Sequence, residues 1–452
     1  MTLTKSVDFL SFSLLFRLIF FMEFKEDFLQ LVWKYLYFER KELQTTEGQD
    51  LIILQTGFHN TLEGPDFQHA SLEIGGILFH GHVEVHRKAS EWKQHSHFAN
   101  ASYNSVILHV VWEDDQEVYR SDGTPMPTLE LKGKIFLDIW RNYQKLLDFK
   151  SDVPCAHALP EVPEIVRFSA LEKALVERMY RKSLGVHDML AQTHGDWEEV
   201  AYRCLAISFG FGLNGAAMKD LSSLVPYSLL RRYRHQNTSI EAMLLGQAGL
   251  LPKSTEDPYV SQLKLDHDFF QKKFKWQNGL SRSHWSFLGA RPSNFPTLRI
   301  AQLASVLAHA PHLLSSILED NREFDGFKRV LQAPLSPYWQ KHYGFGKKAK
   351  KSHSTGLSEA SVRILIINFV LPLWFAFGKY MDQEEWKERC FAVLQSLVPE
   401  DNYITRKFAQ KGWLAGSAFD SQGMIELHNS YCQAQKCLSC RIGQNLLRQP
   451  SQ

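Results

Sequence analysis

Apolar and polar positions along this chain change their period at about residue 150. Residues 24–38 carry apolar side chains at helical spacing, with Phe28, Leu31, Val32, Tyr35 and Leu36 on one face. The run Leu51-Ile52-Ile53-Leu54 predicts a short buried strand, and residues 67–74 predict a second. Residues 77–86 alternate, and because strand side chains alternate faces, Ile77, Phe79, Val83 and Val85 fall on one face and His80, His82, Glu84 and His86 on the other. Gly75-Gly76 between these two strands predicts a two-residue hairpin turn. Residues 106–112 are near-continuously apolar, as expected of a strand covered on both faces. Residues 117–120 and 128–131 predict shorter strands beside it, and residues 135–147 a helix.

Pro154, Pro160 and Pro163 then discourage a continuous helix and mark a boundary. Beyond them helical spacing recurs almost to the end, most clearly at residues 165–192, 197–209, 258–274, 295–310, 358–380 and 421–435. The pattern predicts an α+β protein, with a mixed α/β sheet domain over residues 22–150 and a large all-helical domain over residues 151–452. Residues 364–377 are densely apolar, but Asn368 and Pro372 interrupt them, which predicts a buried core helix rather than a bilayer span. Residues 1–21 are set apart as an extension upstream of a natural start at Met22. A signal peptide fits them poorly, because Arg17 breaks the apolar run and no small-residue cleavage site follows.

Composition narrows the function classes. With 452 residues, 44% of them hydrophobic, the chain can bury a large core. A formal charge of +2 supplies no global attraction to nucleic acid or membrane, so any nucleic-acid contact must be local and no membrane partner is expected. Cys155, Cys204 and Cys390 are scattered and the other three of the six cysteines are C-terminal, which is not a secreted disulfide framework. A reducing cytoplasm is the expected compartment.

The chemistry concentrates near residue 80. Eight of the nineteen histidines (His59, His69, His80, His82, His86, His95, His97 and His109) lie in one short stretch, together with Asp66 and Glu84. The hairpin brings Asp66, at the mouth of the first strand, and Glu84, far along the second, to one end of a sheet. Two carboxylates converging there can hold Mg²⁺ or Mn²⁺. Against this stands an ordinary Pro65-Asp66 turn beside the wet face of a half-exposed hairpin. His95 and His97, with His86 or His109, form a possible zinc set, while Trp92 is expected to pack the loop over the sheet. Cys432, Cys437 and Cys440 suit Zn²⁺ or an iron–sulfur cluster in a structural role, with His428, Cys390 or Cys155 open as a fourth ligand. Reduced cysteines packing a terminal helix are the alternative. Lys347, Lys348, Lys350 and Lys351 form a basic loop able to contact a nucleic-acid backbone, although such charge runs are commonly just solvated.

Two resemblances follow from these residues. Helix, strand, the Pro65-Asp66 corner, the hairpin with Glu84-Val85-His86 and a later apolar strand together resemble the core of the PD-(D/E)XK nuclease superfamily. That resemblance implies metal-dependent phosphodiester cleavage of DNA or RNA, with Asp66 and Glu84 as metal ligands. It also puts His86 where the superfamily has a catalytic lysine. The chain from Phe24 onward is also similar to a bacterial family of unknown function, through GPDF (64–67), GHVEVH (81–86), the E-W-x-x-H-x-H run (91–97), GQAGLL (246–251) and the C-terminal Cys-x4-Cys-x2-Cys. That likeness implies no activity. Two other readings remain open: a non-catalytic nuclease-like scaffold that binds nucleic acid or protein, and a zinc hydrolase using His86, His95 and His97.

Overall fold

The structure is a computed structural model that describes residues 24–94, 103–148, 151–277, 279–310, 312–319, 323–349, 352 and 356–450. The chain gathers into two compact units: Met1–Ala170 with Lys411–Trp413 and Leu427–Gln452, and Leu171–Gln410 with Leu414–Glu426. The cysteine-bearing terminus therefore belongs to the unit that holds the sheet.

The first unit is built on helix α1 (Glu26–Tyr35) and a six-stranded sheet. Phe28, Leu29, Leu31, Val32 and Trp33 bury the apolar side of α1, Glu26 and Asp27 complement its N-terminal dipole, and Leu36 at φ 53° ends it in a left-handed turn. The strands are β1 (Leu51–Gln55), β2 (Phe58–His59), β3 (Phe67–Ile74), β4 (Ile77–Lys88), β5 (Val106–Glu113) and β6 (Thr128–Glu130). They lie in the order β1-β3-β4-β5-β6, with β2 paired to β3. Strands β3 and β4 form the expected hairpin, Ile74 opposite Ile77, across Gly75 and Gly76 at φ 57° and 80°. Both central residues need positive φ in that turn, which glycine adopts without a Cβ clash.

From β4 onward the sheet turns parallel, with Glu84 opposite His109 and His86 opposite Val111, then His109 opposite Thr128. Strand β5 is flanked on both sides, and Val106, Leu108, His109, Val110 and Val111 are buried. Three strand expectations fail. The run 51–54 is not a buried strand: Leu51 is buried, but Ile52 and Leu54 are more than half exposed on β1, which ends the strand order β1-β3-β4-β5-β6. Residues 117–120 form only an isolated bridge, Tyr119 to Pro125. The tip of β4 leaves Ile77, Leu78 and Phe79 exposed, and only Val83 and Val85 of the predicted apolar face are buried.

The second unit is helical, dominated by a 29-residue helix, Glu164–Gln192, whose first turns begin in the first unit. One hairpin, His342–Gly344 with Lys347–Lys348, departs from the all-helical expectation, and helix Phe324–Leu331 was not predicted. The apolar 358–380 run is the helix Glu359–Leu365, a π-helical turn Ile366–Val370 and the helix Leu371–Met381. Pro372 has no N–H to donate to Asn368, four residues back, so the ladder widens into a π turn just before it. This is the one run among the described residues long and apolar enough to cross a membrane, and 67% of its most apolar window is buried inside the protein.

Candidate functional site

The loop before β3 delivers Asp66. Asn60 ties it down, its backbone N–H donating to the Asp66 carbonyl at 2.7 Å and its side-chain amide to the carbonyls of Glu63 and Pro65 at 3.2 Å each. Gly64 at φ 105° allows the chain to bend into the corner. The Asp66 N–H then donates to Glu84 Oε2 at 3.1 Å, and the Val85 N–H donates to Asp66 Oδ2 at 3.0 Å. Each carboxylate thus bonds to backbone beside the other, so the two expected ligands are neighbours in one pocket.

Helix α1 adds groups that the sequence reading did not single out. Gln30 Nε2 donates to Asp66 Oδ1 at 2.9 Å, and Glu26, one helical turn earlier on the same side, acts electrostatically on both Asp66 and Glu84. Glu91 begins a short helix, Glu91–Gln94, and accepts from the backbone and guanidinium of Arg87 at 3.0 and 3.1 Å. Burial pushes the Glu84 carboxyl up to about 9, reinforced by Asp66 and Glu26. Burial likewise raises Glu26 to about 7, with Asp66 and Glu91 adding to it. Tyr103 is pushed up to about 12 by burial, then by Glu84 and Asp66. Like charges in a poorly solvated pocket disfavour full ionisation, so this cluster holds protons unless a cation replaces them.

The polar face of β4 is dry where it matters. Glu84, His86 and His109 are 5%, 1% and 0% exposed, which excludes a wet hairpin face at these positions. His86 Nδ1 lies 2.8 Å from His109 Nε2, and His86 Nε2 lies 3.6 Å from Glu84 Oε1. If His86 donates Nδ1–H to His109, it presents a bare Nε2 to the carboxylate pocket, and a cation there favours that tautomer. Trp92 is 2% exposed in a cluster with Ala89, Val106, Val111, Val118 and Met126, as expected of a side chain packing the loop on the sheet.

His95 and His97 lie outside the described residues, as do Lys350 and Lys351. Lys347 and Lys348 are exposed on the hairpin of the second unit. Cys432, Cys437 and Cys440 follow one another through a π turn, His428–Cys432, and a 3₁₀ turn, Cys437–Ser439. None of the six cysteines, all of them described residues, is in a disulfide. Among the described residues, no three His, Cys, Asp or Glu side chains already form a ready metal-holding group. A helix spacing of four residues, Glu26 to Gln30, was the signal available for α1; the sequence marks Glu91 only as the start of the E-W-x-x-H-x-H run, with no role at the pocket.

Fold and site define an α+β protein whose mixed sheet buries an acidic pocket against a histidine pair. The chain belongs to the family described as Protein of unknown function (DUF2851), whose family model matches residues 26–403. No curated protein and no solved structure matches it.

Proposed function

We propose that this protein is a metal-dependent phosphodiesterase that cleaves nucleic acid, with Asp66 and Glu84 holding Mg²⁺ or Mn²⁺. The observation that carries the reading is the reciprocal bonding of Asp66 and Glu84 in a pocket where Glu26 and Glu84 both resist ionisation. The two carboxylates, Asp66 and Glu84, suit a hard divalent cation, with Glu26 adding negative charge nearby. The strand order, an antiparallel β1-β3-β4 followed by parallel β5, adds support through its likeness to the PD-(D/E)XK core. The bound ion would stabilise charge on the phosphoryl oxygens and acidify a water. Gln30 and the Val85 N–H hold Asp66 in place. His86 accepts a proton at Nε2, in the place of the superfamily's lysine, while His109 fixes its ring. On the second unit, the exposed Lys347 and Lys348 are proposed as a separate contact for a nucleic-acid backbone.

A second reading, a nuclease-like scaffold that binds without cleaving, is favoured by one feature. The residue in the lysine position, His86, is buried in a histidine pair. The zinc-hydrolase reading needs His95 and His97 and gains no support from the described residues.

The test is cleavage of single- and double-stranded DNA and RNA by the full chain in Mg²⁺ and Mn²⁺, beside Glu84→Gln and His86→Ala. Cleavage is expected in the wild type and a loss of about 100-fold or more in both variants, with circular dichroism unchanged. An inactive wild type whose salt-sensitive nucleic-acid binding is untouched by Asp66→Asn would hand the case to the scaffold.

A further inference from the structure

We propose that a cavity in the helical unit binds a small amphipathic anion, an apolar body carrying one carboxylate or phosphate head, with Lys182 taking the head. The cavity measures about 590 Å³, a size common among small-molecule sites. Its walls are the helix Glu164–Gln192, the helix Trp197–Phe209 with the turn after it, and the π-helical turn Ile366–Val370. Every lining residue belongs to the second unit, so one compact body holds the whole site.

One side of the cavity is polar. Lys182 Nζ donates to Asn368 Oδ1 at 2.7 Å, and Asn368 Nδ2 donates to the Ile364 carbonyl at 3.0 Å, which turns the amide oxygen toward the lysine. Among the described residues no carboxylate stands within ion-pair distance of Lys182. Its neighbours on the helix are themselves cations, Arg181 and Arg178, which share Glu426 at 2.7 and 3.7 Å. Glu400 also lines the cavity, but its two oxygens accept from Gln422 Nε2 at 2.7 Å and Asn402 Nδ2 at 3.0 Å. A neutral amide does not balance an ammonium, so the lysine side favours a bound negative charge. Burial pushes the Lys182 amine down to about 7, with Arg178 and Arg181 adding to it, and an anion beside it would reverse that shift.

The rest of the lining is largely apolar, with Val186, Met189, Ile207, Phe211, Phe369 and Pro372. Phe211 stands at φ 44°, a left-handed conformation unusual for a bulky residue, and strain of this kind gathers at ligand sites. The Arg299 guanidinium lies 3.8 Å over its ring. Arg299 is 6% exposed, bonds only to the neutral side chains of Gln302, Asn294 and Ser361, and leaves its Nε without a partner. Two cations without carboxylate partners thus border the cavity, one directly and one through Phe211.

Gly185 shows that the space is kept open. It lies in the interior of the 29-residue helix, where glycine is weaker than alanine, and a Cβ there would meet nothing within 4 Å. Packing therefore does not require glycine at this position, and the missing side chain leaves room beside Lys182. His187 Nε2, 3.0 Å from the Ala376 carbonyl oxygen, fixes the long helix to the helix Leu371–Met381 and holds these two walls at a set spacing.

The experiment titrates the full chain with anilinonaphthalene sulfonate, a small amphipathic anion, and with its uncharged relative phenylnaphthylamine. Fluorescence is followed in wild type, Lys182→Met, Gly185→Trp and Lys145→Met, the last as a control because Lys145 lines a cavity of about 560 Å³ in the first unit. A single saturable site per chain is expected, at least about tenfold tighter for the sulfonate than for the neutral probe. Lys182→Met is expected to weaken the sulfonate by about tenfold or more and to leave the neutral probe unchanged. Gly185→Trp is expected to exclude both probes and Lys145→Met to affect neither. Should Lys182→Met fail to fold by circular dichroism, Gly185→Trp carries the test, since its side chain enters open space. Octanoate, octyl phosphate and inorganic phosphate then compete, and the octyl compound that displaces the sulfonate at lower concentration identifies the head group. No saturable site, equal binding of the two probes, full affinity in folded Lys182→Met or Gly185→Trp, or loss in Lys145→Met overturns the assignment. So does failure of both octyl compounds to displace, or displacement by inorganic phosphate as readily as by either. Failure here leaves the Asp66–Glu84 reading untouched, because Lys182 and Gly185 lie in the second unit.

Discussion

Two groups in the pocket, Glu84 and Glu26, carry the main consequence of burial. Their carboxyls rise from an ordinary 4.5 to about 9 and about 7, so the fold favours their protonated forms. A group raised in this way contributes stability below its unfolded value and loses it as pH climbs through the folded one. The metal-free protein is therefore expected to melt at progressively lower temperature between about pH 5 and pH 9. Mg²⁺ takes the place of the protons and is expected to raise the melting temperature most at the alkaline end, where deprotonation costs it least. Thermal melts across that range with and without Mg²⁺, and for Glu84→Gln, check this. A flat profile, or one that Mg²⁺ and Glu84→Gln leave unchanged, removes the case for a cation-seeking cluster.

Strand β4 works differently along its length. Its first residues stand exposed, while residues 83–86 are all buried, paired along β5 and reached by β3 only at Val83. The change of environment occurs at Gly81, where a Cβ would meet the Ser105 carbonyl oxygen and Ile107 Cγ2, both at 2.5 Å. There the register between β4 and β5 also shifts, between His82 and Val83. Glycine permits that close approach, and through it the register that sets Glu84 opposite His109. Gly81→Ala is expected to cost about 1–3 kcal/mol, the usual range for forcing a methyl into a packed contact. Chemical denaturation measures it, and a variant as stable as wild type would show that the strands part freely at this point.

For the molecule as a whole, the first unit is discontinuous in sequence. Ile442, Leu446 and Leu447 are buried on the terminal helix, each worth about 1.5–3 kcal/mol when removed from water. Tyr35 reaches Gln444 at 3.4 Å, and Arg448 donates to the Tyr37 hydroxyl. A chain ending at Glu426 is accordingly expected to lose protection from proteolysis first within residues 24–170. Equal protection of that segment in the full and shortened chains would refute the dependence of the sheet unit on its C-terminal piece.

Periodicity by itself determined the larger elements: the α1 helix, the Gly75-Gly76 hairpin, the doubly covered β5 and most long helices after residue 150. These are local matters, set by side chains two to four positions apart. Asp66, Glu84 and His86 were legible as a group for the same reason, since one hairpin carries all three. Only the tertiary structure brought in Glu26, Gln30 and Glu91, because the contacts of α1 and of the 91–94 helix with the pocket depend on how separate elements pack. Only it made the polar face of β4 dry at Glu84 and His86 while leaving Ile77 and Leu78 wet, since alternation assigns faces and the covering layers assign solvent.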